Sequence, residues 1–144
     1  MYLDYYGLKE HPFYVTPDPR FIYWTDQYRD ALEHLLYGIN QRKGFIEITG
    51  EIGTGKTTLC RACLSQLPDD VDTALILNPS LTETQLLRAM AHDLGLTPKG
   101  RDRLSCLEEL NRYLLARNRE GRNVALFIDE AQDLTPPVME QVRL

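Results

Sequence analysis

The stretch GEIGTGKTT, residues 50–58, decides how the rest of this chain is interpreted. It fits the pattern G-x-x-x-x-G-K-[ST], which is typical of loops that hold nucleotide phosphates. The apolar segment FIEITG, residues 45–50, precedes it and predicts a strand. The segment KTTLCRACLSQL, residues 56–67, follows it and predicts a helix. A strand, a glycine-rich loop and a helix in this order are the context that phosphate binding requires.

The chemistry of phosphate binding predicts a role for each type of residue in this loop. Glycines let the backbone turn tightly and approach an anion, successive N–H groups form a concave anion site, and the helix adds its positive N-terminal end. Lys56 would place a positive charge on the β- and γ-phosphates, and the Thr57 hydroxyl would be a ligand of Mg²⁺. The residues expected to contact the nucleotide are Gly50, Glu51, Ile52, Gly53, Thr54, Gly55, Lys56, Thr57 and Thr58.

Two acidic residues follow an apolar strand in the segment VALFIDE, residues 124–130. Asp129 is expected to hold Mg²⁺ through its water shell. Glu130 is expected to orient or deprotonate the attacking water, so that Glu130 and Lys56 are the candidate catalytic residues. Two adjacent buried acids are costly without a cation, which favours a metal site over the alternative of a solvated strand end.

Two polar segments leave alternatives open. Gln132 and Asp133 could sense the state of the nucleotide, and they could equally cap the next turn. The basic run PKGRDR, residues 98–103, is typical of a solvated loop between helices, with a nucleic-acid or partner contact as the alternative.

The remaining pattern alternates helices with strands, which predicts an α/β fold with a parallel sheet. The segment NVALFIDE is apolar on both faces, as in a parallel strand that helices cover on both sides. We therefore expect a three-layer sandwich. The predicted helices are 25–44, 56–67, 81–96, 102–121 and one that begins at Thr135, and the predicted strands are 45–50, 72–78 and 123–130.

Residues 1–24 are rich in aromatic residues and proline and form the first of two predicted regions, ahead of the nucleotide-binding region 25–144. Proline predicts irregular structure here. Packing of this segment onto the surface of the domain is the first interpretation. The second is that Pro12 and Phe13 lie over a bound base.

The bulk composition narrows the class of protein. A length of 144 residues predicts one domain, and a net charge of −5, 16 basic against 21 acidic residues, argues against binding nucleic acid through bulk charge. No secretory signal or membrane-spanning apolar run is evident, so the chain is expected to be soluble and cytoplasmic. Three cysteines argue against a disulfide framework, and Cys60 and Cys63 are expected to be buried helix thiols rather than a metal or redox pair.

Three segments together give a family resemblance: MYLDYYGLKEHPF with TPDPRFIY, GEIGTGKTT, and LFIDEAQDL. The chain resembles the AAA-type ATPases of bacterial secretion, the ExeA or general secretion pathway protein A family, and is also similar to a relative that assists biogenesis of the mannose-sensitive pilus. The opening block is the most distinctive of the three, since many ATPases share the other two.

The resemblance implies binding of ATP and Mg²⁺ and self-association into oligomers. It also implies a full-length protein anchored in the bacterial inner membrane, with a periplasmic region and an inner-membrane partner of the ExeB type, that places the secretin pore in the outer membrane. It implies nucleotide and magnesium roles for Gly50, Gly53, Gly55, Lys56, Thr57, Asp129 and Glu130.

The resemblance also predicts elements that would follow Leu144: a sensor strand, an arginine finger and a helical lid. In such proteins the sensor strand lies between the phosphate-loop strand and the acidic strand. We therefore expect strands 45–49 and 123–129 to show unpaired apolar edges. We expect one of three outcomes: another chain fills the gap, the two strands close on each other, or the chain is part of a longer protein. Without an arginine finger, hydrolysis of ATP should be weak.

Two other functions compete with a secretion ATPase. One is a DNA-transposition-type ATPase, which the net charge disfavours. The other is a nucleotide-gated interaction module that binds ATP without turning it over.

Overall fold

The computed structural model describes residues 2–11 and 22–143. Two strands are present in this part of the chain, β1 (Val71–Ile76) and β2 (Asn123–Ile128), together with a short 3₁₀ helix at Ala131–Asp133. The helices are α1 (Tyr2–Tyr6), α2 (Asp26–Asn40), α3 (Lys56–Leu64), α4 (Glu83–Asp93), α5 (Arg103–Arg119) and α6 (Pro136–Gln141).

The two strands pair in parallel, with Val71 opposite Asn123 and Ile76 opposite Ile128. Helices α4 and α5 form the connection between them. Parallel strands require such a crossover, and it places both carboxyl ends at the same edge of the sheet. The residues that follow β2 therefore lie beside the end of β1.

Helices cover both faces of this sheet, because alternate residues of each strand pack into different clusters. Ile76 of β1 belongs to a cluster with α4, α5 and α6. Phe127 of β2 belongs to a second cluster with α2 and α3. The expected three-layer α/β arrangement is confirmed. The best buried side chains of the two clusters are Leu86, Leu87, Leu110 and Cys106 on one face and Leu59 and Cys63 on the other.

The helix predictions are confirmed in type and position, with ends that differ by a few residues. Thr82 and Gln85 form a reciprocal capping box at the start of α4, as their T-x-x-Q spacing predicts. Thr25 caps α2, since its side chain accepts a hydrogen bond from the Tyr28 N–H. Helix α2 ends at Asn40 rather than at Gly44, after which Arg42 adopts a left-handed conformation with φ of 52°.

The predicted strand at 45–50 is wrong. These residues have no regular secondary structure and make no backbone–backbone hydrogen bond to another described residue. Phe45 is 70% exposed and Ile46 is 40% exposed. The sequence is apolar enough for a strand, but a strand also needs a neighbour to pair with. Among the described residues, this segment and β2 do not close on each other; the other two outcomes remain predictions.

The prediction of irregular structure for residues 1–24 is wrong at Tyr2–Tyr6, because these residues form α1. The prolines of this segment begin at residue 12, so they do not restrict the backbone of α1. Residues 2–11 are exposed apart from Leu3, which is half-buried. Pro12 and Phe13, expected over a bound base, lie outside the described residues.

None of the helices in the described ranges combines the length and the apolar character that crossing a bilayer would take.

Candidate functional site

The loop that precedes α3 has the backbone that its glycines predict. Gly53 and Gly55 adopt left-handed conformations, with φ of 81° and 86°, which other residues enter at a cost. A Cβ on Gly50 would lie 2.9 Å from the Thr54 hydroxyl oxygen, so a side chain at this position would displace that hydroxyl. Ile52, at the apex, is fully exposed, and Thr58 lies in the first turn of α3.

Lys56 folds back over this loop. Its Nζ donates to the backbone carbonyl oxygens of Gly50 and Glu51, each at 2.8 Å. A third constraint within the loop is the Thr54 hydroxyl, which donates to the Glu51 carbonyl at 2.8 Å. The ammonium is therefore held at the mouth of the loop by weak neutral acceptors, which an anion with greater negative charge could replace.

Thr57 and Asp129 meet although 72 residues separate them. The Thr57 hydroxyl donates to Asp129 Oδ2 at 2.5 Å. Thr57 is in the first turn of α3, and Asp129 follows β2 directly, with its N–H bonded to the Ile76 carbonyl at the end of β1. The parallel sheet thus brings the predicted acid to the start of the predicted phosphate-binding helix.

Hard oxygen donors of this kind are the ligands that Mg²⁺ prefers, and Mg²⁺ usually takes only one or two ligands from the protein. A hydroxyl and a carboxylate in contact, beside a loop built for an anion, therefore fit this ion. In the described part of the chain, no group of three or more His, Cys, Asp or Glu residues forms a dedicated metal cage. The donor set suits an ion that shares its coordination with phosphate oxygens and water.

Glu130 lies next to Asp129, but its side chain is exposed and turned to another partner. Gln132 Nε2 donates to Glu130 Oε2 at 2.5 Å, and the Glu130 N–H donates to Asp129 Oδ1 at 3.0 Å. Glu130 has a left-handed backbone with φ of 53°, which is uncommon for a residue with a side chain. The Gln132 amide thus contacts the predicted catalytic carboxylate, and both interpretations of Gln132, nucleotide sensing and capping, remain predictions.

Sequence reasoning missed one residue at this site. Tyr28 of α2 donates from its hydroxyl to the Gly55 carbonyl at 3.3 Å. The i, i+3, i+4 spacing of residues 25–44 places Tyr28 on an apolar stripe of its helix, where it does pack against the second cluster. Nothing in the helical spacing distinguishes a tyrosine whose ring packs from one whose hydroxyl also reaches a loop.

The prediction of two buried thiols in the C-x-x-C of α3 is confirmed for Cys63 and wrong for Cys60, which is only half-buried. All three cysteines are free, and Cys63 and Cys106 are buried. Burial raises the pKa of Cys63 to about 11. Burial, and then the negative charge of Asp129, raise the pKa of Cys60 to about 11. A raised pKa disfavours the thiolate that redox or metal chemistry uses.

The basic run 98–103 is partly engaged within the domain. Arg103 pairs with Glu83 at 3.1 Å and donates to Gln141 Oε1 at 2.7 Å. Asp102 caps α5 by accepting from the Ser105 N–H at 3.0 Å. This segment therefore ties α4, α5 and α6 together, and it presents less free positive charge than its sequence indicates.

Comparison with known proteins agrees with the loop, the acid and the sheet. The chain is 45% identical to general secretion pathway protein A of Aeromonas hydrophila, over an alignment of 146 residues. That alignment covers all of this chain and 26% of the relative, so the chain spans about a quarter of that protein's length. No solved structure matches the chain significantly.

This identity confirms the resemblance inferred from the sequence. The model of one protein family, described as the AAA domain, matches residues 39–144. The matched range contains the phosphate loop, both strands and the acidic pair, and it confirms the α/β phosphate-loop fold. The chain belongs to the family of AAA domains.

Proposed function

We propose that this domain binds ATP with Mg²⁺ at the loop 50–58 and hydrolyses it as the motor of a secretion-related ATPase. The observation that carries the proposal is the 2.5 Å contact between the Thr57 hydroxyl and Asp129. This contact joins the two halves of the proposed nucleotide–magnesium site, the loop that leads to Thr57 and the acid Asp129. The halves are distant in sequence, so it is the fold that brings them together.

In the proposed complex, the backbone N–H groups of the loop and the N-terminal end of α3 hold the phosphates. Lys56 exchanges its two carbonyl acceptors, those of Gly50 and Glu51, for the β- and γ-phosphate oxygens. The gain comes from replacing neutral acceptors by anionic ones, which adds charge–charge attraction to hydrogen bonds in which the donor is already charged.

Thr57 and Asp129 would hold Mg²⁺, Thr57 directly and Asp129 through water. When bound, the ion neutralises charge on the β- and γ-phosphates. The Thr57 hydroxyl would then direct its oxygen to the ion instead of donating to Asp129. Both residues are half-buried, so that this exchange would be only partly exposed to bulk water.

Glu130 would orient and deprotonate the attacking water. Its carboxylate is bonded to Gln132, so it must turn toward the γ-phosphate when ATP is bound. Gln132 would release that carboxylate as it turns.

The cellular role is part of the same proposal. General secretion pathway protein A is the relative that supports it, since its name assigns that protein to secretion. We extend the proposal to self-association of the AAA type, an inner-membrane partner of the ExeB type, and a cytoplasmic position of this domain within a membrane-anchored protein. A DNA-binding role is disfavoured by the net charge of −5 and by the engagement of Arg103 with Glu83.

Release of phosphate from ATP tests hydrolysis and separates it from binding. Glu130→Gln should keep ATP affinity and lose about 10²–10⁴-fold in turnover, because only the general base is removed. Lys56→Ala should lose affinity as well. Lys43→Ala, which removes an exposed lysine beyond α2, is the control and should behave as wild type.

Turnover by Glu130→Gln at the wild-type rate would reject the catalytic assignment. ATP binding that survives in a wild type with no turnover above the uncatalysed rate would favour the nucleotide-gated module instead.

A further inference from the structure

The one tryptophan of this chain is connected to the phosphate loop by a single intermediate side chain. The Trp24 ring stands edge-on to the Tyr28 ring, with centroids 5.5 Å apart and an angle of 80° between the planes. The Tyr28 hydroxyl donates to the Gly55 carbonyl at 3.3 Å. The segment before α2 is thereby connected to the loop that would hold the phosphates.

The Gly55 carbonyl is the point at which the loop becomes a helix. Gly55 precedes Lys56, the first residue of α3, and its carbonyl also accepts the N–H of Leu59 at 2.8 Å. It therefore uses both lone pairs, one for the helix and one for Tyr28. Two donors fix the orientation of this peptide more closely than the helix bond alone.

The Gly55 backbone needs such support, because it is left-handed and glycine has many other conformations open to it. The Tyr28 ring also limits the space on that side, since a Cβ on Gly55 would lie 3.4 Å from the ring carbon Cε2. Burial raises the pKa of the Tyr28 hydroxyl above its ordinary value, so the hydroxyl stays a donor at physiological pH.

We propose that Tyr28 is a positioning residue for the phosphate loop, whose hydroxyl holds Gly55 in the conformation that binds nucleotide. This inference rests on the proposed binding of ATP. Without the hydroxyl, the loop populates other conformations, and the observed affinity falls by the fraction of molecules that remain competent. Chemistry at the γ-phosphate is unaffected once ATP is bound.

Tyr28→Phe tests this most cleanly, since it removes one oxygen and keeps the ring that packs on Trp24. Calorimetric titration with ATP and Mg²⁺ should show affinity weakened by about 2- to 12-fold, the range of one neutral hydrogen bond. KM for ATP should rise by a similar factor while kcat stays unchanged. Trp24 emission should respond to ATP in the wild type and respond less in Tyr28→Phe.

Tyr37→Phe is the matched control. Tyr37 lies on the same helix, is 59% exposed, and its hydroxyl has no hydrogen-bond partner among the described residues. It should bind ATP as the wild type does. Melting temperatures of both variants are measured without nucleotide, so that loss of affinity is not mistaken for loss of fold.

The outcomes separate this inference from the function on which it rests. If Tyr28→Phe binds ATP as tightly as wild type, the inference is overturned whatever its melting temperature, and the proposed function stands. If wild-type protein binds no ATP, the proposed function fails and the inference fails with it.

Discussion

Two segments of this chain have the same kind of sequence and different structures. Residues 45–50, FIEITG, and residues 71–76, VDTALI, are both short and rich in β-branched and apolar residues. The second is β1, paired along its full length with β2. The first has no regular secondary structure and no described backbone partner. The difference shows that a segment forms a strand when a neighbouring strand pairs with it, and that its own composition is not sufficient.

Burial follows pairing in the same two segments. Ala74 and Ile76 of β1 are 1% and 5% exposed, because the sheet positions them under α4 and α5. Ile46 is 40% exposed, and Ile48 is only partly buried against the second cluster. The proposed function depends on both segments, since one leads into the loop 50–58 and the other accepts the Asp129 N–H at its end. We therefore expect the loop to be attached to the least stable part of the core.

The largest expected contrast comes from removing the same side chain in the two segments. Ile76→Ala should lower the free energy of unfolding by about 2–5 kcal/mol, because it opens a cavity in a close-packed cluster. Ile46→Ala should lower it by less than about 1 kcal/mol, since much of that side chain is already in water. Denaturant unfolding of both variants measures the difference. Equal losses would show that residues 45–50 are as well packed as β1.

A smaller effect is expected where β1 begins. The Asp72 carboxylate accepts from Arg122 at 2.8 Å and from Tyr113 at 2.7 Å, and it pairs with Arg117 at 3.0 Å. This network fixes β1 against α5, and no comparable network fixes residues 45–50 in the described part of the chain. Asp72→Asn should cost about 1–3 kcal/mol at pH 7, as expected for hydrogen bonds to a charged group.

The pH dependence of that cost has a definite sign. Burial acts to raise the pKa of Asp72, but hydrogen bonds from Arg122 and Tyr113 and the charges of the two arginines outweigh it, so the pKa is lowered. A lowered pKa gives stability that is present above the ordinary value of 3.8 and lost as pH falls through the folded value.

The wild type and Asp72→Asn should therefore converge in acid unfolding experiments. Asp69→Asn is the control, since its backbone carbonyl rather than its carboxylate accepts from Arg122. A difference between wild type and Asp72→Asn that stays constant down to pH 2 would contradict the account.

Sequence reasoning could predict the features that depend on local chemistry. The glycines of the loop, the capping box at Thr82, the acid after an apolar strand and the helical crossover each follow from residues that lie near one another in the chain. The contact between Thr57 and Asp129 could also be predicted, because parallel strands bring their carboxyl ends together.

Features that depend on partners distant in the chain could not be predicted from the sequence. Residues 45–50 have a strand's composition, and nothing local indicates that the pairing is missing. Tyr28 occupies a position of the apolar stripe, and its hydroxyl reaches Gly55 only because α2 packs beside α3. The contact between Gln132 and Glu130 follows a left-handed backbone at Glu130, and nothing in the sequence indicates that conformation.

The central claim is that the loop 50–58 and Asp129 form one site for ATP and Mg²⁺, and calorimetric titration of the folded protein tests it most directly. The account predicts saturable binding of one ATP per chain in the presence of Mg²⁺. Lys56→Ala should weaken that binding by about 10-fold or more, because it removes a charged donor to the phosphates. Lys43→Ala should leave it unchanged. No heat of binding with the wild type, or equal affinities for wild type and Lys56→Ala, would contradict it.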